Sequence, residues 1–114
     1  MKLAKCQEVL QAKVVAGNHL LDKEASSVFV GDLLSWVMGH GQENEIWISV
    51  QAHLNVLAVA SLKEFAAVII AQGADIPQET IDKAKEEDIV LFQSDLSAYH
   101  IACKLYEAGI DHAL

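Results

Sequence analysis

The chain of 114 residues has no arginine: its eight basic residues are all lysine, set against sixteen carboxylates, for a net charge of −8. Proteins that hold duplex nucleic acid present a basic patch and lean on arginine for base and phosphate contacts. This composition argues against that class of partner, and an acidic surface is also repelled by anionic membranes. No run of eighteen apolar residues occurs, so no stretch is suited to cross a bilayer as a helix. The opening MKLAKCQEV has charge but no apolar run behind it, unlike a secretion signal, and the expected location is cytoplasmic. Cysteine is scarce. Cys6 and Cys103 are expected to be reduced, part-buried thiols, and two cysteines cannot hold an iron–sulfur cluster alone. GxxxxGK[ST], GxGxxG after a strand, GxSxG and CxxC are all missing. No catalytic residue, metal site or cofactor is expected.

Apolar residues are abundant. Counting glycine and leaving out tyrosine they reach about 56% of the chain, against an ordinary ~45–50%. At this length one domain spanning 1–114 is expected, with a folded surface of roughly 6,000 Å². So small a body has little interior in which to hide the excess. An apolar face shared with a second copy is therefore expected.

The stretch Ile46 to Gly73, IWISVQAHLNVLAVASLKEFAAVIIAQG, dominates the pattern. Ile46 to Val50 is apolar on both alternations, as in a strand buried on both faces. Leu54 to Leu62 reads as a helix, apolar nearly all round and so in need of cover on two sides. Ala66 to Ala71 reads as the next buried strand. Before this centre lie a short amphipathic helix (Lys2 to Leu10), a strand (Ala12 to Ala16), a turn at Gly17-Asn18, a loop (His19 to Ser27) and a short strand (Val28 to Val30). Asp32 is placed to cap a helix whose apolar face is Leu33, Leu34, Val37 and Met38, ended by Gly39 and Gly41. After the centre, Pro77 suits the first turn of a helix with Ile81 and Ala84 inward and Asp82, Lys83, Lys85, Glu86 and Glu87 solvated. Ile89 to Phe92 is the last strand. Ser94 is placed to cap a final helix, Asp95 to Ala108, with Leu96, Tyr99, Cys103 and Tyr106 on one stripe. Strand and helix alternate with short links, which predicts a three-layer α/β/α fold around a mainly parallel sheet. The early strands could pair antiparallel.

Parallel sheets gather ligands at the carboxyl ends of their strands. Those ends carry Asp32, Ser49, Gln51, His53, Asn55, Gln72, Gly73 and Ser94, a set rich in amides and hydroxyls and poor in charge. Two readings apply. They form a shallow polar pocket for a small ligand, or they satisfy the orphan donors of their own helix starts. His53 is the member suited to acid–base work near neutral pH. His40 lies between glycines in a turn. His100 and Cys103, three apart, make half of a metal site with no second half in view. Trp36 and Trp47 suit a core or an interface.

VFVGDLLSWVMGHG, WISVQAHLNVLAVASLKEFAAVIIAQG and PQETIDKAKEEDIVLFQSDLSAYHIACKLYE together resemble the DRTGG-domain family, from about residue 10 to residue 108. The likeness is to small stand-alone members from anaerobic bacteria, often encoded near iron-only hydrogenase genes. It implies a fold like the amino-terminal domain of HPr kinase/phosphorylase and a regulatory role. The family's Asp-Arg falls at Ala52-His53, and its Thr-Gly-Gly falls at Ala71-Gln72-Gly73, so only Gly73 is kept. A ligand relying on that arginine does not carry over, and the kinase's catalytic domain is absent. The resemblance places both halves of the motif at one sheet edge.

Two functions follow. One is a non-enzymatic regulatory or ligand-sensing module, dimeric, with a protein partner of the redox-enzyme kind. The other is a small transferase or hydrolase using His53 with Asp32.

Overall fold

Right-handed crossovers decide which face each helix covers. The structure is a computed structural model that describes residues 1–111. Its elements in order are α1 (Leu3–Leu10), β1 (Lys13–Ala16), a 3-10 turn (Asn18–Leu20), β2 (Ser27–Val30), α2 (Leu34–His40), β3 (Glu45–Ser49), α3 (Leu54–Leu62), β4 (Ala67–Ile70), α4 (Gln78–Glu86), β5 (Leu91–Gln93) and α5 (Ala98–Glu107). The sheet order is β1-β5-β4-β3-β2. β2 to β5 are parallel and step steadily across the sheet. Same-handed crossovers in one direction put α2, α3 and α4 on one face. α1 and α5 pack on each other and cover the opposite face. The result is the expected three-layer α/β/α arrangement. β1 alone runs antiparallel, against β5, with a register slip between Val14 and Ala16. The segment between β1 and β2, expected to be a loop, contains the 3-10 turn.

Side chains alternate along the strands, so each strand feeds two cores. Ile46, Ile48, Ala67, Ile69 and Phe92 join Leu3, Cys6, Leu10, Ile101 and Leu105. Trp47, Val68, Ile70 and Leu91 join Val37, Val56, Leu57, Ala60 and Phe65. β3 and β4 are buried at every position, as expected of central strands. Val50, read as the end of β3, lies beyond it and is exposed. The accessible surface is 6073 Å², the value expected for a compact chain of this mass.

α3 is a helix and is covered on more than one side, as expected: the sheet, α2 and α4 take Val56, Leu57, Val59 and Ala60, while Ala58, Ser61 and Leu62 face solvent. Three expectations need correction. α2 turns Val37 into the core and leaves Leu33, at its N-cap, exposed. In α4 the buried pair is Thr80 and Ala84; Ile81 is only half-buried. α5 begins three residues later than expected and buries Ile101 and Leu105, with Tyr99 and Tyr106 at the surface. A phenol satisfies itself at a rim, where an aliphatic side chain does not.

Gly41 is needed where it stands, because a Cβ there would overlap the Phe65 ring. That ring packs on Trp47 with centroids 5.6 Å apart.

Candidate functional site

The carboxyl ends of β2, β3, β4 and β5 lie side by side, and the loops that leave them are sewn to one another. Asp32 was expected to cap α2; it does not, and the α2 N-cap residue, Leu33, makes no side-chain cap. Instead Asp32 Oδ1 accepts from Ser49 Oγ at 2.6 Å and from the Val50 N–H at 2.8 Å. A carboxylate offers several lone pairs, so one oxygen can hold both donors. Ser49 Oγ in turn accepts from the Gln51 N–H at 3.0 Å. Beneath them the Trp47 indole N–H donates to Gly31 O at 2.8 Å. The turns after β2 and β3 are thereby locked as one unit.

His53 is the N-cap of α3, and its Nδ1 accepts from the Asn55 N–H at 3.1 Å. Its ring is exposed, and among the described residues it forms no ion pair with a carboxylate. Thr80 Oγ1, which the sequence reading left out, donates to Ala52 O at 2.8 Å and ties α4 to the start of α3. A threonine within a polar helix start carries no sequence signal for a bond 28 residues away.

The second group stands on β4 and β5. Gln72 and Gly73 both take left-handed backbone, with φ of 64° and 61°. Their N–H groups donate to Leu96 O (2.9 Å) and Ser94 O (2.8 Å). A side chain at Gly73 would also meet Asp95 Oδ1 at 2.8 Å, so glycine is required there for both reasons. Ser94 was expected to cap α5. Its buried Oγ accepts from the Leu96 N–H at 3.1 Å, a local turn, and Ser97 Oγ caps the helix by accepting from the His100 N–H at 3.1 Å. Gln93 Nε2 donates to Ala74 O at 2.8 Å. The Ala71 N–H donates to Ser49 O at 2.9 Å. Ala52-His53 and Ala71–Gly73 therefore follow neighbouring strands at one edge.

The eight candidates thus fall into two sets. Asp32, Ser49, Gly73 and Ser94 hold loops together, and His53 caps its own helix. Gln51, Asn55 and Gln72 are exposed, and their side chains make no hydrogen bond among the described residues. No hydrogen bond or ion pair joins His53 to Asp32 among the described residues. Among the described residues no group of three or more His, Cys, Asp or Glu could hold a metal ion. Two clefts lie away from Asp32 and His53. One of about 480 Å³ opens at the amino ends of the strands, among Lys23, Asn44, Glu64, Phe65 and Asp88. One of about 580 Å³ runs beside Lys13, Gln93, Ser94 and Lys104.

No protein-family model matches the chain, and no curated protein does. Among solved structures it is similar to the CBS and DRTGG domains of the regulatory region of Clostridium perfringens pyrophosphatase, complexed with the activator diadenosine tetraphosphate. The TM-score is 0.73 over 99% of this chain, at 16% identity, and this chain spans 50% of that one. No helix among the described residues is long and apolar enough to cross a membrane. At that identity the likeness speaks to architecture, and what it shows is a DRTGG-like α/β/α fold.

Proposed function

We propose that this chain is a single-domain, non-enzymatic regulatory module of the cytoplasm that senses a small ligand at the carboxyl edge of its parallel strands and works as a homodimer. The observation that carries this reading is the division at that edge. Five of its eight residues are committed to turns or a helix cap, and three amides stand uncommitted on the frame they make. That is the form of a recognition surface. The solved regulatory region of the same fold is bound to a nucleotide activator, which supports regulation by a small molecule. The loops at residues 31–32, 49–55, 72–73 and 93–97 contain no lysine. A ligand held there by Gln51, Asn55 and Gln72 is therefore neutral or weakly charged, and a long phosphate chain is a poor fit. The resemblance to stand-alone DRTGG members supports a protein partner of the hydrogenase kind.

The test is a thermal-shift panel of nucleosides, nucleotides including diadenosine tetraphosphate, and small organic acids. A ligand at about 100-fold over its Kd adds ~2.7 kcal/mol to stability. For a chain of this size that raises Tm by roughly 10 °C or more. The expected result is a shift from a ligand without multiple phosphates, lost in Gln72→Ala and Asn55→Ala. A panel with no shift removes ligand sensing and leaves a scaffold. Affinity capture from the source cells that recovers no redox enzyme removes the proposed partner.

A further inference from the structure

The two edges of the sheet are protected very differently. β1 closes one edge with an exposed lysine, Lys13, and a register slip, both of which discourage another strand from pairing. β2 closes the other with Ser-Val-Phe-Val. It has no charge, no proline and an unbroken register against β3.

The backbone phase of that edge can be worked out. The Ala66 N–H donates to Glu45 O, so the odd residues of β3 face β4 and the even ones face β2; the Gly31 N–H accordingly donates to Ile48 O. In a parallel ladder this turns Ser27, Phe29 and Gly31 inward. The N–H and C=O of Val28 and Val30 then point away from the sheet.

Apolar side chains flank this strand on both faces. Val28 and Val30 line a cleft of about 230 Å³ with Ala102, Tyr106 and Ile110. On the other face, Phe29 packs into the α2 side of the core. Leu33 follows Val30 by three residues, and Trp36 follows Leu33 by one helical turn. The Val50 N–H donates to Asp32, the residue before Leu33. Val30, Leu33, Trp36, Val50 and Tyr106 are 53, 66, 58, 43 and 41% exposed. Together they leave roughly 500–600 Å² in the open. A standard interface takes about 800 Å² from each partner, and in homodimers about 65% of it is apolar. The exposed area matches what one half of a dimer requires. Two carboxylates border the patch, and both are occupied: Asp32 by Ser49 and Val50, Asp111 by the Ser27 hydroxyl at 2.7 Å.

We infer that β2 is the dimer seam, pairing antiparallel with β2 of a second copy about a two-fold axis through Phe29, so that Val28 of each copy exchanges backbone hydrogen bonds with Val30 of the other. This rests on the dimeric reading above and gives it a place. The commitment to a second copy comes from two observations. Residues 28 and 30, the pair with outward groups, are each other's complement about residue 29. In a chain of net charge −8, β2 itself carries no charged side chain, so the two paired strands set no charge against each other.

Sedimentation equilibrium of the full chain tests it. Wild type is expected at twice 12.4 kDa. Val28→Pro removes an outward N–H that β3 does not use, as edge strands tolerate; Val30→Lys places a charge in the seam. Each is expected to weaken association by roughly tenfold or more, while Leu62→Lys, on the exposed side of α3, leaves it unchanged. Cooperative urea unfolding verifies that each variant is folded. If Val28→Pro does not fold, Val30→Lys decides alone. A wild type that is monomeric at its highest soluble concentration overturns the inference, as does a dimer that survives the folded edge variants or is lost equally in Leu62→Lys. A monomer that still responds to a ligand overturns this seam and leaves ligand sensing standing.

Discussion

One oxygen of Asp32 secures two turns, and removing it leaves Ser49 Oγ and the Val50 N–H without their shared acceptor. Asp32→Ala is expected to cost about 1.5–3 kcal/mol, the range for hydrogen bonds to a charged group, and Asp32→Asn less, since an amide oxygen can still accept. Urea unfolding of the two variants checks the order. Cys6 gives a prediction in pH. Burial pushes its thiol from 9.0 up to about 11. The protonated thiol is the neutral form, so as pH rises through 9 the unfolded chain releases this proton before the folded chain does. Stability is unaffected by this group below 9 and declines between about 9 and 11. The wild type is expected to lose stability over that window relative to Cys6→Ala, which denaturant midpoints at pH 8 and 10.5 would show. The buried place of Cys6 was legible from helical spacing with Leu3, Val9 and Leu10. The role of Asp32 was not. An aspartate before a helix looks like a cap, and its true donors lie 17 and 18 residues away.

Among the elements, α3 illustrates what composition can and cannot say. Alanines and leucines identified a helix between two buried strands, and that is what forms. The uniformly apolar composition hid which side is open. Leu57 is buried and Leu62 is exposed. Leu57→Ala is therefore expected to cost about 2–5 kcal/mol, and Leu62→Lys to stay within about 0.5 kcal/mol, both read from denaturant midpoints. In α5 the error was one of phase. The expected stripe of Leu96, Tyr99, Cys103 and Tyr106 put the tyrosines inward, and the helix instead buries Ile101 and Leu105. Ser97→Ala is expected to cost about 0.5–2 kcal/mol, with ~1 typical of a lost cap. The parallel pairing of β3 to β5 was readable because each crossover is short; the pairing of the early strands was open, and β2 proves parallel. β1 was not readable, because the segment between it and β2 carries no period that reveals which edge it reaches.

At the scale of the whole molecule the apolar excess in the sequence has a visible location. Most of it lies in two cores, one on each side of a thin sheet, and a remainder gathers around β2. The net charge of −8 opposes association everywhere outside that patch. Salt screens it, with a Debye length of about 10 Å at 0.1 M and 3 Å at 1 M. Self-association is expected to tighten as NaCl rises from about 0.05 to 0.5 M; weakening over that range, in sedimentation, would show that ion pairs hold the copies together. The eight edge residues were legible as a polar group at one end of the sheet, but their division into structural and free members was not, because that depends on bonds between loops distant in the chain. The chain's two tryptophans occupy opposite environments: Trp47 is sealed in the core with its indole N–H bonded, while Trp36 stands in the open, stacked on His40 at 3.9 Å. The molecule therefore carries two optical reporters. Iodide reaches one indole and not the other, so docking at β2 would shield the quenchable fraction while the blue-shifted emission of the enclosed ring stays constant until the fold itself melts.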